Sequence, residues 1–129
     1  MNFKPIFPLT PKIGKANISV ANTNRVVTGV AGLTQVLEAG TDGTRLDRAK
    51  IQATATTTAG VVRLWIYSGS GNADLYDEIL VTAATPSVTV EAFNTVIDFN
   101  AEFLPAGYSL YASTHNSEAF NVIVFGGDY

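Results

Sequence analysis

The chain of 129 residues has no cysteine and little charge. Without cysteine it can form no disulfide, no thiolate metal site and no thiol nucleophile, which suits a protein made in a reducing cytoplasm. Charged residues make up 15% of the chain, against about 25% in an average domain, whereas hydrophobic residues make up 47%. So little charge leaves little to keep the surface of a monomer in water, and it favours a protein that contacts other proteins.

Basic residues are missing from the second half of the chain. All eight Lys and Arg lie at or before Arg63, where Glu38, Asp42 and Asp47 oppose them and leave a charge of +5. Residues 64–129 hold eight acids and no base, a charge of −8. A β fold that interleaves both halves would even this out; otherwise the subunit is dipolar and meets a differently charged neighbour. The net charge of −3, with no basic stripe, predicts that no nucleic acid is bound.

Long apolar runs are also missing. Residues 1–20 contain neither the apolar core of a signal peptide nor an 18-residue apolar run. We therefore expect no export signal, no membrane span, and synthesis in the cytoplasm.

Short strand-like segments take the place of helical periodicity. Eight of them recur at roughly 8 to 12 residue spacing with Gly, Pro, Asn and Asp between them, which is typical of a sandwich or barrel. They lie at 17–21, 32–38, 48–55, 61–67, 75–83, 89–99, 108–113 and 119–125. The sequence predicts an all-β fold, an antiparallel, jelly-roll-like β-sandwich formed by residues 16–129 as a single domain. Segment lengths do not fix the strand order.

Two of these segments, first 48–55 and then 61–67, differ in the side chains that lie on their two faces. In the first, small and apolar residues alternate with polar ones, so Ala49, Ile51, Ala53 and Ala55 are predicted to face inward and Arg48, Lys50, Gln52 and Thr54 to face water. In the second, Val62, Leu64 and Ile66 point one way, and Arg63, Trp65 and Tyr67 the other. Residues 120–125 are likewise apolar on both faces. Either a second layer or a partner must cover such an outer face, and we predict Arg63, Trp65 and Tyr67 as partner-binding residues.

Residues 1–15 are predicted to form an extended N-terminal arm. Prolines at positions 5, 8 and 11 disfavour helix and central strand and favour polyproline II. Four apolar side chains in the arm are predicted to bind a groove on a neighbouring subunit: Phe3, Ile6, Phe7 and Leu9. The alternative is that the arm folds back over the edge of its own sandwich.

No motif for catalysis or metal binding stands out. His115, the single histidine, lies in a polar turn, and no G-x-S-x-G elbow presents a nucleophile. Asp74, Asp77 and Glu78 beside Asn72 lack the spacing of a calcium loop. The sequence therefore predicts no enzyme, no cofactor, and no catalytic, cofactor-binding or metal-ligating residue.

Four segments between residues 60 and 129 carry a family resemblance: GVVRLWIY at 60–67, LYDE at 75–78, LPAGY at 104–108 and the ending FGGDY at 125–129. Through them, residues 40–129 resemble a family of small virion proteins of tailed bacteriophages. The arm departs from the family and is not explained by it. The resemblance brings no catalytic residue.

The resemblance implies a capsid decoration or cement protein on the capsid surface of the virion. Such a protein would bind the lattice of the major capsid protein, stabilise the head, and self-associate as a trimer or dimer. The alternative is a carbohydrate- or receptor-binding module of a phage tail or head fibre, which would leave Trp65, Tyr67 or Tyr111 open in a shallow groove.

Overall fold

The described part of the chain consists of strands and their connections. The structure, a computed structural model, describes residues 10–129, and within that range the chain forms no helix. The eight strands are β1 Thr10–Ile18, β2 Thr34–Glu38, β3 Thr44–Ala53, β4 Gly60–Tyr67, β5 Asp74–Val81, β6 Asn94–Leu104, β7 Ser109–Thr114 and β8 Phe120–Asp128.

The strands form two four-stranded antiparallel sheets, here called the first sheet (order β1-β8-β3-β6) and the second sheet (order β2-β7-β4-β5). The first strand pairs with the eighth, the second with the seventh, the third with the sixth and the fourth with the fifth. This is a long hairpin rolled into a double-sheet sandwich, which is the jelly roll. The predicted fold class is confirmed, and the strand order is what the structure adds.

The main core lies between the two sheets. Strand β3 presents Ala49, Ile51 and Ala53 to it, and β4 presents Val62 and Leu64, all of them buried. The inward faces predicted for these residues are confirmed. Ala55, predicted to continue the inward row, is exposed because β3 ends at Ala53.

Strand β1 begins earlier than the sequence suggested. Residues 10–15, assigned to the arm, form the first part of β1 and pair with β8 from Thr10↔Asp128 onward. Pro11 is tolerated there because β1 is an edge strand, where a missing N–H need not break a ladder on both sides. Residues 1–9, with Phe3, Ile6, Phe7 and Leu9, lie outside the described residues.

A carboxylate anchors the start of β1 to the first sheet. Asp128 is 3.1 Å from the ammonium of Lys12 and accepts a 2.6 Å hydrogen bond from the Thr44 hydroxyl. Partial burial acts to raise the pKa of Asp128, but these two contacts outweigh it and leave that pKa below its usual value. The first paired residues of the edge strand β1 are therefore held by charge as well as by backbone hydrogen bonds.

Strand β6 also differs from its predicted bounds. The segment before it closes a tight turn instead, in which Ser87 and Val90 exchange backbone hydrogen bonds, and β6 begins only at Asn94. Near its end, one residue of β3, Asp47, faces residues 99–101 of β6. In this bulge Asn100 and Ala101 both adopt positive φ, at 54° and 58°. Such a bulge interrupts the pairing edge of an outer strand.

We predict that Ala101→Gly stabilises the fold by about 0.5–1 kcal/mol. The left-handed conformation costs an alanine about 1–2 kcal/mol, and glycine removes that cost while losing roughly 0.5–1 kcal/mol through its freer unfolded chain. Urea unfolding measures the change. Ala83→Gly, at an exposed alanine outside the positive-φ set, is the matched control and should not stabilise. Equal destabilisation by both substitutions would contradict the assignment.

Candidate functional site

The outer face of the second sheet, on which we predicted partner binding, is covered by the chain itself. Residues 19–33, the connection between β1 and β2 and here called the covering segment, lie across it. Val27 is buried against Trp65 and Ala73, and Val30 and Leu33 pack around them. The covering segment is held by Asn22, whose N–H donates to the Thr114 carbonyl at 2.8 Å. Of the two covers considered, a second layer and a partner, the second layer is found.

The three predicted residues on this face are therefore placed as follows. Trp65 is 0% exposed and donates its indole N–H to the Ser113 hydroxyl at 3.0 Å, and Arg63 is 2% exposed. Tyr67 is half-buried and meets Tyr111 edge to face, with 5.9 Å between ring centroids. Prediction of Arg63 and Trp65 as an exposed binding face is wrong, because the covering segment supplies the apolar cover that the sequence left unassigned.

Arg63, Arg25 and Glu78 form a group of polar contacts, here called the clamp, that ties the covering segment to the second sheet. The Arg63 Nε donates to Glu78 at 2.9 Å and its Nη1 donates to the Asn22 carbonyl at 3.3 Å. Arg25, which belongs to the covering segment, donates to the same Glu78 oxygen at 2.8 Å. The hydrogen bond from Arg25, together with that from Arg63, lowers the pKa of Glu78 below its usual 4.5. One carboxylate thus joins β4, β5 and the segment that covers them.

Residues that the sequence offered for catalysis or metal binding make structural contacts on or near this face. The His115 Nδ1 lies 3.4 Å from Arg63 Nη1, and since a guanidinium can only donate, this nitrogen faces it as an acceptor. Asn72 accepts the Gly29 N–H at 2.8 Å, and Asp77 accepts the N–H of its neighbour Glu78. Within residues 10–129 no three His, Asp or Glu side chains gather as a metal site would require.

The outer face of the first sheet, by contrast, is open, and its cross-strand register orders it into three rows. The rows, which together we call the three-row face, are Ile13–Phe125–Arg48–Asp98, Lys15–Ile123–Lys50–Val96 and Asn17–Asn121–Gln52–Asn94. Two rows mix apolar side chains with cations, and the third consists of amides. Ile13 is 64% exposed and Val96 is 58% exposed.

Contacts within the three-row face hold its side chains in place. The Arg48 guanidinium carbon lies 5.2 Å from the centroid of the Phe125 ring, a cation–π distance. Lys50 donates to the Asn94 side-chain oxygen at 3.1 Å, and Asn17 donates to Asn121. Beside Lys15 and Asn121 the surface forms an open groove of about 360 Å³. The arrangement offers ordered cations around an apolar centre.

The charge asymmetry of the sequence collects on the three-row face. Among the described residues, Lys12, Arg25, Arg45 and Arg63 each lie within 4 Å of a carboxylate oxygen. The cations for which the described residues show no such partner are Lys15, Arg48 and Lys50, all three on this face. The sequence marked Arg48 and Lys50 as water-facing and residues 120–125 as apolar on both sides, but it gave no sign that these features share one surface with β1.

Comparison with known proteins adds little. No protein-family model matches the chain, and no curated protein matches it. A chain from the "Structure of infectious bursal disease virus Gx strain" matches 98% of this chain and 37% of its own length, with 13% sequence identity and a TM-score of 0.31. This chain thus spans little more than a third of the length of that one, and a TM-score of this size carries no argument. Within residues 10–129, no helix could span a membrane.

We predict that Trp65→Ala lowers the free energy of unfolding by about 3–5 kcal/mol, because it opens a cavity under the covering segment and removes the partner of the Ser113 hydroxyl. Urea unfolding gives the value. Phe103→Ala, which truncates an aromatic side chain that is half exposed, is the control and should cost much less. Unchanged stability on loss of Trp65 would show that the covering segment does not seal this face.

Acid should weaken the clamp at Glu78. Because the folded-state pKa of Glu78 is lowered, its stabilisation is complete above the unfolded-state pKa and is lost as pH falls through the folded-state pKa. The stability difference between wild type and Glu78→Gln should therefore be largest near neutral pH and shrink below pH 4.5. Arg25→Gln should move that loss to higher pH, since it removes the largest cause of the shift. A difference that stays constant down to pH 3 would argue against the clamp.

Proposed function

We propose that the protein is a non-enzymatic structural protein of a virus particle, a capsid decoration or cement protein that binds the lattice of the major capsid protein and stabilises the head. It would be made in the host cytoplasm and reside on the capsid surface. The proposal joins the resemblance of residues 40–129 to tailed-phage virion proteins with what the described surface offers.

The observation that carries the proposal is the apolar surface left over after the cores are complete. Both apolar clusters, the one between the sheets and the one under the covering segment, are filled by buried side chains. Large hydrophobic side chains nevertheless remain exposed: Ile13, Val20, Val26, Tyr76, Leu80, Val88, Val90, Val96 and Phe103. Single exposed hydrophobic residues need no explanation. Ile13 and Val96, however, share the three-row face with cations that have no carboxylate partner among the described residues, and this grouping favours a contact surface.

A lattice suits contacts of this kind. A decoration protein needs no cleft, and polar residues that the sequence offered for chemistry, Asn72, Asp77 and His115, here make structural contacts. Many copies of a modest contact across a shell add up to a large collective effect. That would let the subunit oppose the outward stress of a packed genome without a tight single-site interaction.

The position of Thr10, the first described residue, suits an arm of residues 1–9 that binds a neighbouring subunit. Residues 1–9 precede Thr10, which opens β1 at the edge of the first sheet beside the three-row face. Burying Phe3, Ile6, Phe7 and Leu9 on a neighbour would contribute roughly 6–10 kcal/mol, and ordering the segment costs a comparable sum at about 1–2 kcal/mol per residue. The arm therefore would act together with another contact of the same subunit.

Two other predictions from the sequence lose part of their support in the structure. The carbohydrate- or receptor-binding alternative relied on open aromatic residues, but Trp65 is buried and Tyr67 and Tyr111 pack against each other. Self-association as a trimer or dimer was motivated by the two apolar faces of residues 61–67, and the covering segment now meets that need within one chain. Association through another surface stays a prediction.

Removal of the arm tests the proposal. The chain without residues 1–9 should keep the melting temperature of the sandwich yet bind at least about tenfold more weakly to shells of the major capsid protein, because a second contact is lost. Cosedimentation with shells that lack this protein measures binding. A full-length variant with serine at positions 3, 6, 7 and 9 separates side chains from chain length. Failure of the wild-type chain to bind shells would refute the proposed function, and equal binding by the shortened chain would refute the role of the arm.

A further inference from the structure

We propose that the three-row face docks onto an acidic protein surface with an apolar centre, and that this face is the one turned toward the capsid lattice. The inference rests on the proposed function and names the partner chemistry and the face. It is carried by the placement of Lys15, Arg48 and Lys50 among apolar side chains on a single sheet face. Two of these apolar side chains, Ile13 and Val96, are exposed, and the other two, Ile123 and Phe125, are half-buried.

The positive charge of the three-row face indicates the chemistry of its partner. The face carries three cations and one carboxylate, Asp98, so its charge is +2, whereas the chain as a whole carries −3. Contact with Ile13, Ile123 and Phe125 would take the neighbouring ammonium and guanidinium groups out of water, which is costly unless carboxylates meet them. A partner that covers this face therefore presents acids around an apolar patch.

A second copy fits the face poorly. A two-fold contact between two such faces would set +2 against +2, since an isologous interface pairs a patch with itself. The face is also small: four strands about 4.8 Å apart and three rows about 6.7 Å apart give on the order of 400 Å². A stable pair of proteins commonly buries about 800 Å² on each side. This surface is half of that, which suits a contact that is repeated many times.

Nucleic acid fits it poorly as well. Binding to phosphates relies on a stripe of Lys and Arg, whereas here Asp98 shares a row with Arg48, and Ile123 and Phe125 lie on β8, one of the two inner strands of the face. The Arg48 guanidinium carbon lies 5.2 Å from the Phe125 ring centroid, so a partner carboxylate that binds Arg48 would lie beside an apolar contact.

The test compares two full-length double variants of equal net charge. Lys15→Gln with Lys50→Gln removes two positive charges from the face, and Leu80→Glu with Val88→Glu adds two negative charges at exposed sites off it. Binding to empty shells of the major capsid protein is measured by cosedimentation. We expect the lysine variant to bind about tenfold more weakly, as loss of two rim ion pairs implies, and the control to bind like wild type.

A second pair tests the apolar part. Ile13→Ser changes an aliphatic side chain that is 64% exposed on the three-row face, and Leu80→Ser changes one that is 78% exposed on β5 of the second sheet. Only Ile13→Ser should weaken binding to shells. Thermal melting of all variants checks that each is folded, and these surface positions leave the cores intact.

The outcomes separate this inference from the function beneath it. If wild type does not bind shells, the proposed function fails and the inference fails with it. If wild type binds but the lysine and control variants bind equally, the function stands and the face is wrong. Binding that needs packaged nucleic acid, or self-association that the lysine substitutions abolish, would overturn the acidic protein partner as well.

Discussion

Strands β4 and β8 carry large apolar side chains on both of their faces, and the rest of the structure depends on how each face is covered. Their inward faces meet in the core between the sheets, where Val62 and Leu64 lie with Val122 and Val124. The outward face of β4 is sealed by the covering segment. On the outward face of β8, Ile123 and Phe125 are half-buried and lie on the three-row face, which no other segment of the described chain covers. The outer face of the second sheet is thus covered by the chain itself, whereas, within residues 10–129, the three-row face of the first sheet is not.

The clamp at Glu78 explains why the covering segment stays in place. Few apolar residues hold it down, since Val27 alone among its side chains is buried with Trp65, so polar contacts supply the rest. Arg63 and Arg25 share one carboxylate, and a backbone hydrogen bond from Asn22 to Thr114 completes the attachment. A buried guanidinium needs such partners, because an unpaired one would cost more than the cover contributes.

The sequence allowed the fold class to be predicted but not the covering of the second sheet. Period-two alternation in β3 and the two-faced character of β4 follow from local chemistry, and both are confirmed. Strand order depends on pairing between residues such as Thr10 and Asp128, at opposite ends of the chain, which local patterns do not encode. No element was predicted for residues 22–31, which form most of the covering segment, so the burial of Trp65 by it was not foreseen. The same holds for the three-row face, because β1, β8, β3 and β6 meet only through long-range register.

The distribution of charge likewise depends partly on local sequence and partly on long-range strand pairing. The excess of bases before Arg63 is visible in the sequence, but which of them meet acids depends on strand pairing. Four cations pair with acids within the described residues, and three others lie on one sheet face. The cations without a carboxylate partner among the described residues therefore lie where apolar side chains such as Ile13 and Val96 are also exposed.

The central claim is that this subunit turns the outer face of its first sheet toward a partner and keeps its second sheet sealed by its own chain. Electron cryomicroscopy of particles that carry the protein tests it most directly. The account predicts density in which Ile13, Lys15 and Phe125 lie against the shell while the covering segment faces solvent. A map in which the covering segment contacts the shell and the first sheet faces solvent would contradict it.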